Sequence, residues 1–307
     1  MLRNRLALLM SLAALASVSF GPARADDDAP LANRLAERLK EPNMGLKVEN
    51  KARANKDAGA EAKPKAAKGK TDPKMPAMPP ASQWAYAGDA SPAHWAELTP
   101  DNKLCGIGTR QSPIDIRDTI KVDLEKIQFD YRPGAFSVID NGRAIAVDPV
   151  QGNSLTVMGR RFELSQFLFH RPSEMRLNGR SYEMDVQLIH KDADGNQAIL
   201  SVLIERGPDN KPQPAAQTVL NNLPLERNQS VMASVPFDPM QLLPQDRSYF
   251  TFMGSVTTPP CKENVLWMVM RTPVQLTANQ IGIFARLYPM NARPLQATSG
   301  RLIKESN

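Results

Sequence analysis

From Trp84 onward the chain alternates short apolar or in–out patterned segments with turns rich in Gly, Pro, Asn and Asp. Segments at Ala144–Val147, Ser154–Val157, Leu164–Phe169, Met184–His190, Ala198–Glu205, Ser248–Phe252 and Val265–Thr272 have the length and period of strands. Thr277–Tyr288 is the clearest helical pattern among them. This spacing predicts one mainly β domain with a few short helices over residues 81–307, enough chain for a sizeable core. No internal repeat is visible.

Upstream the pattern changes twice. Arg3 and Arg5 precede an apolar stretch from Leu6 to Phe20, and Ala23-Arg24-Ala25 follows it. That layout predicts a secretory signal peptide, residues 1–25, cleaved after Ala25. The apolar stretch is shorter than the roughly 20 residues a membrane span needs; an uncleaved anchor is the alternative. The mature chain is expected to lack a transmembrane segment and to reach the periplasm or cell envelope.

Residues 26–80 form a second unit. Leu31, Leu35 and Leu39 line one side of a short predicted helix, Pro30 to Glu41. From Lys47 to Lys74, nine Lys and Arg face four Asp and Glu, with almost no large apolar residues. Such a stretch cannot bury enough surface to offset its chain entropy, so a disordered basic leader is expected. It is the place where an unknown protein or envelope partner would engage. Its interspersed acids and lack of aromatics argue against nucleic acid.

The chain carries a net charge of +6, two cysteines and three histidines. Export makes a Cys105–Cys261 disulfide permissible; two buried thiols are the other option. The histidine count is the sharper limit. Any three-imidazole site must use His94, His170 and His190 together.

The run Gln166-Phe167-Leu168-Phe169-His170-Arg171-Pro172-Ser173-Glu174-Met175 brings the chemistry into focus. Positions 168 and 170 point to one strand face, and position 187 on a paired strand can complete a triangle with them. Three imidazoles there would hold zinc and leave a fourth position for water. The chain offers Leu168, His170 and Gln187 instead. Leu168 has no donor atom, and the neutral carboxamide of Gln187 is a poor zinc ligand.

Residues 82–303 resemble the α-carbonic anhydrases through several motifs in family order. These include Trp84-Ala85-Tyr86, His94-Trp95, Gln111 to Ile116, Asn141-Gly142, Gln166 to Glu174, Met184 to His190, Gly254 to Cys261, and Asn291 to Gln296. The resemblance implies the α-carbonic anhydrase fold, with a large, twisted, mostly antiparallel central sheet. It places Leu168, His170 and Gln187 at the three zinc positions and Arg143 at the proton shuttle. Arg143 cannot titrate near neutral pH. The resemblance also assigns Thr258 and Glu174 to the relay that orients metal-bound hydroxide. Gln166 falls where a residue supports the first ligand, and Asp185 replaces the glutamate that supports the third. Ile189, Val256 and Trp267 fall at the apolar CO2 pocket, beside Gln166. His94 and His190 match positions that are not ligands. Cys105 and Cys261 fall where exported bacterial members carry a disulfide.

The expectation is an exported carbonic-anhydrase-like domain with no catalytic residues, metal or other cofactor in use, and with a binding or structural role. Two alternatives stand beside it. One is a carbonic anhydrase with residual or variant-metal activity, zinc then being its cofactor. The other is a small-molecule or anion binder that uses the vestigial cleft.

Overall fold

A computed structural model describes residues 84–149 and 152–306. The expected signal peptide, residues 1–25, and the basic leader, 26–80, lie outside the described residues. No helix among the described residues is long and apolar enough to cross a membrane.

The alternating segments become strands, and the structure adds short ones that their length hid. In chain order they are β1 (Asp115–Ile116), β2 (Ile120–Val122), β3 (Gln128–Asp130), β4 (Phe136–Asp140) and β5 (Ile145–Pro149). Next come β6 (Ser154–Val157), β7 (Arg160–His170), β8 (Arg176–Leu177), β9 (Met184–Lys191) and β10 (Gln197–Arg206). The last five are β11 (Gln229–Met232), β12 (Tyr249–Ser255), β13 (Glu263–Met270), β14 (Val274–Leu276) and β15 (Lys304–Ser306). One sheet of 13 strands dominates, with the order β11-β4-β5-β7-β9-β10-β13-β12-β15-β2 along its main path. Most neighbours are antiparallel; β10 with β13 and β15 with β2 are parallel.

The helix Ala278–Leu287 matches the sequence pattern, and Thr277 and Gln280 close a reciprocal capping box at its start. The helix Pro214–Asn221 was missing from the pattern. Its Gln213 cap accepts from Ala216 N, an unusual capping residue that gives little sequence signal.

A β-bulge sets the faces of the central strand. Leu164 pairs with His190, but Gln166 pairs with Ile189, so Ser165 is an extra residue in β7. Before the bulge, Leu164 shares a face with His190. After it, Gln166, Leu168 and His170 share the other face with Ile189, Gln187 and Asp185. Continuing across the sheet, that second face carries Ile199, Ser201 and Leu203 of β10, then Trp267 and Val269 of β13. The large apolar members of this face pack with Ile114, Met175, Phe250 and Phe252 into one core cluster.

A second cluster anchors the N-terminal segment. Trp95 is fully buried against the Cys105–Cys261 disulfide, with Trp84 and Tyr86 packed on it. The indole Nε1 of Trp95 donates to Ala85 O and Ala90 O, each at 3.0 Å.

Candidate functional site

The β7–β9 register puts Leu168 directly opposite Gln187 and His170 directly opposite Asp185. The triangle that strand geometry requires is therefore in place, with different chemistry at its corners. Leu168 is half-buried, whereas His170 and Gln187 are fully buried.

Gln187 is turned away from any role as a ligand. Its amide nitrogen donates to Glu174 Oε2 at 2.7 Å and to Asp185 Oδ2 at 3.3 Å. His170 Nδ1 lies 3.1 Å from Asp185 Oδ1. Asp185 Oδ2 also accepts from Glu174 N at 3.0 Å, and Glu174 Oε1 accepts from Arg293 N at 2.9 Å. The polar groups thus satisfy one another, as buried polar groups must.

The electrostatics follow from that packing. Burial lowers the proton affinity of His170, but the charges of Glu174 and Asp185 and the hydrogen bond to Asp185 outweigh it and raise its pKa. Burial raises the Glu174 pKa, with His170 pulling the other way. Arg293 is pushed down to about 10 by burial, against the attraction of Glu174. His170, Glu174, Asp185 and Arg293 thus form one buried polar network in which the imidazole and the guanidinium lie beside two carboxyls.

The hydroxyl that bonds Glu174 belongs to Thr257. The assignment of this role to Thr258 is off by one residue: Thr257 is buried, and its half-exposed neighbour Thr258 is not the partner. Two adjacent threonines before Pro259-Pro260 offered no sequence signal to choose between them.

Other expected site residues are spread around this network. Gln166 donates to Asp148 Oδ1 at 2.7 Å, a partner that sequence reasoning missed. Trp267 is fully buried and donates to Ser255 O at 2.9 Å, while Ile189 and Val256 are half-buried against the same cluster. Met175 is core, and its sulfur accepts from Ile114 N. Ser201, opposite Gln187 on β10, was also missed. Its buried Oγ has no hydrogen-bond partner among the described residues.

Arg143 lies apart from the network. Its Nε donates to Trp84 O at 2.8 Å, and its guanidinium sits 4.4 Å from the Trp84 ring centroid. His94 is exposed and lies 3.6 Å from Glu97. His190 is buried on the opposite face, between Tyr131 Oη at 2.6 Å and Leu188 O at 2.9 Å. The bulge at Ser165 and the strand alternation keep it out of the triangle.

A zinc ion does not fit these residues. Leu168 supplies no donor, the Gln187 amide nitrogen is itself a donor to two carboxylates, and one imidazole remains. No group of three or more His, Cys, Asp or Glu suited to a metal exists among the described residues.

Fold and site together define a mainly β domain in which Leu168, His170 and Gln187 share one face of the central sheet. The eukaryotic-type carbonic anhydrase family matches residues 90–307, and the chain belongs to that family. It is 37% identical over 239 residues to a carbonic anhydrase of Nostoc sp., covering 75% of this chain and 89% of that one. A hyperthermostable carbonic anhydrase identified from a hydrothermal vent chimney superposes with a TM-score of 0.71 at 37% identity, covering 73% of this chain and all of the other. Dioscorin, solved in complex with ascorbate, superposes with a TM-score of 0.68 at 29% identity, covering 73% and 98%.

Proposed function

We propose that this chain is a carbonic-anhydrase-like domain that does not hydrate CO2 and serves a binding or structural role in the cell envelope. The reading rests chiefly on Gln187. Its amide nitrogen occupies Glu174 and Asp185, the two carboxyls closest to the old ligand triangle. A metal-bound hydroxide needs three protein ligands to lower the pKa of its water; here one imidazole is left, with its Nδ1 bonded to Asp185. The Cys105–Cys261 disulfide is compatible with export to the periplasm after removal of residues 1–25. In this proposal the basic leader, residues 26–80, places the domain against a protein or envelope partner.

The test is metal content together with hydration rate. The purified chain is expected to hold far less than stoichiometric zinc after incubation with excess metal and to leave CO2 hydration at the buffer rate. Stoichiometric zinc with sulfonamide-sensitive hydration would sink the proposal and restore the enzyme reading. One observation favours a second role for the old cleft: dioscorin, a neighbour in fold, was solved with a small molecule, ascorbate. Saturable ascorbate binding that a Leu168→Trp substitution abolishes would support that role.

A further inference from the structure

A separate cavity lies at the far edge of the sheet. Strand β15 pairs with β12 only at Phe250 and Thr251, yet β12 continues to Ser255. Beside this uncovered stretch is a cavity of about 520 Å³, within the usual range for small-molecule sites.

Its lining is divided by chemistry. Phe252, Met253, Leu266 and Leu302 supply apolar wall, and Arg110, Arg301 and Lys304 supply positive charge. No acidic side chain is among the described residues that line it. Met158, Met253 and Leu302 are exposed large apolar side chains that meet at this cavity. Grouped exposed apolar surface of this kind marks interaction sites more often than scattered residues do.

Two buried polar atoms at the cavity have no hydrogen-bond partner among the described residues. One is Thr251 Oγ1, on a residue only 3% exposed; the other is Arg301 Nη1. The rest of the Arg301 guanidinium is fixed by neutral carbonyls. Nη2 donates to Gln111 O and Ala297 O, each at 2.7 Å, and Nε donates to Thr298 O at 2.8 Å. The nearby Glu263 carboxylate is already bonded to Arg110 N and Gln111 Nε2, at 2.7 and 3.0 Å. The arginine is thus held in place while both N–H groups of Nη1 have no partner among the described residues, with Glu263 as a nearby opposing charge.

We propose that this cavity binds a small amphiphilic anion, a carboxylate or sulfonate head on an apolar body. The head accepts from Arg301 Nη1 and Thr251 Oγ1 with Arg110 and Lys304 around it, and the body covers Met253, Leu266 and Leu302. A neutral apolar ligand would leave both polar atoms unpaired in a dry site, which is costly. An inorganic anion would leave the apolar wall wet. The requirement for both parts selects the class. None of the residues that line it belongs to the Leu168–Gln187 network.

The full chain would be titrated with decanoate, decanol and sulfate, by calorimetry and by methyl NMR of the methionines. Decanoate is expected to bind once, to shift Met253, and to weaken with salt. Arg110→Glu and Leu302→Asp both alter exposed side chains, so each should keep the wild-type melting temperature and weaken decanoate by about tenfold or more, a change of ~1.4 kcal/mol. Decanol binding as tightly as decanoate would overturn the proposal, as would sulfate doing so. Decanoate that fails to bind saturably, or that binds both variants like wild type, would overturn it equally.

Discussion

Gln187 stands across the β7–β9 ladder from Leu168 and donates its amide nitrogen to Glu174 at 2.7 Å. In the proposed reading this pair sets one apolar contact and one carboxamide that closes a network where zinc ligands would otherwise stand. Removing the amide should take one hydrogen-bond donor from each of two buried carboxyls. Gln187→Ala is expected to destabilise the domain by about 1–3 kcal/mol, the usual cost of an unsatisfied buried polar group. Gln187→Glu should cost more, because it adds a third carboxyl to the same cluster. Urea denaturation of the three proteins checks both statements, and wild-type stability in Gln187→Ala would contradict them.

Restoring imidazoles tests whether only the ligands were exchanged. The double variant Leu168→His with Gln187→His should take up about one zinc per chain, since His170 and the strand register are already in place. Each single variant should take up much less. Metal analysis after exhaustive dialysis distinguishes these outcomes, and a double variant that stays metal-free would show that the surrounding side chains have closed over the triangle.

His190 gives a pH signature separate from the site. Burial drives its pKa down to about 3, below the ordinary value near 6.5. Between those two values the unfolded chain takes up a proton that folded His190 refuses, so this residue lowers stability as pH falls from about 6.5 toward 3. Above pH 6.5 it has no effect. Imidazole NMR should show His190 still neutral at pH 5, and His190→Gln should flatten the stability profile between pH 4 and 6.5.

The Cys105–Cys261 bridge spans 156 residues of sequence and lies in the cluster that buries Trp95. Replacing both cysteines with serine should cost about 2–5 kcal/mol. The loss should appear as a lower midpoint in chemical denaturation, matched by wild-type protein in reductant.

Much of this was legible because the sheet pattern has period two and the motifs are long. The sequence pattern gives strand β6 its observed ends and sets Leu168, His170 and Gln187 on one face. What escaped was of two kinds. Short strands such as β2 and β15 carry too few residues to show a period. Thr257, Asp148 and Ser201 matter through contacts made across the sheet or between loops, and a linear pattern does not encode which of two adjacent threonines turns inward. The cavity beside β12 belongs to the same class, since Arg110, Thr251 and Arg301 meet only through folding.

The extra residue at Ser165 has a consequence for how such a chain can change. By shifting the pleat halfway along β7, it makes one half of the strand answer to the layer around His190 and the other half to the network around Glu174. Substitutions at Leu168 therefore fall on the second half alone, without demanding a response from Leu164 or its neighbours. A strand divided in this way lets the residues on one face change while the packing on the other is kept.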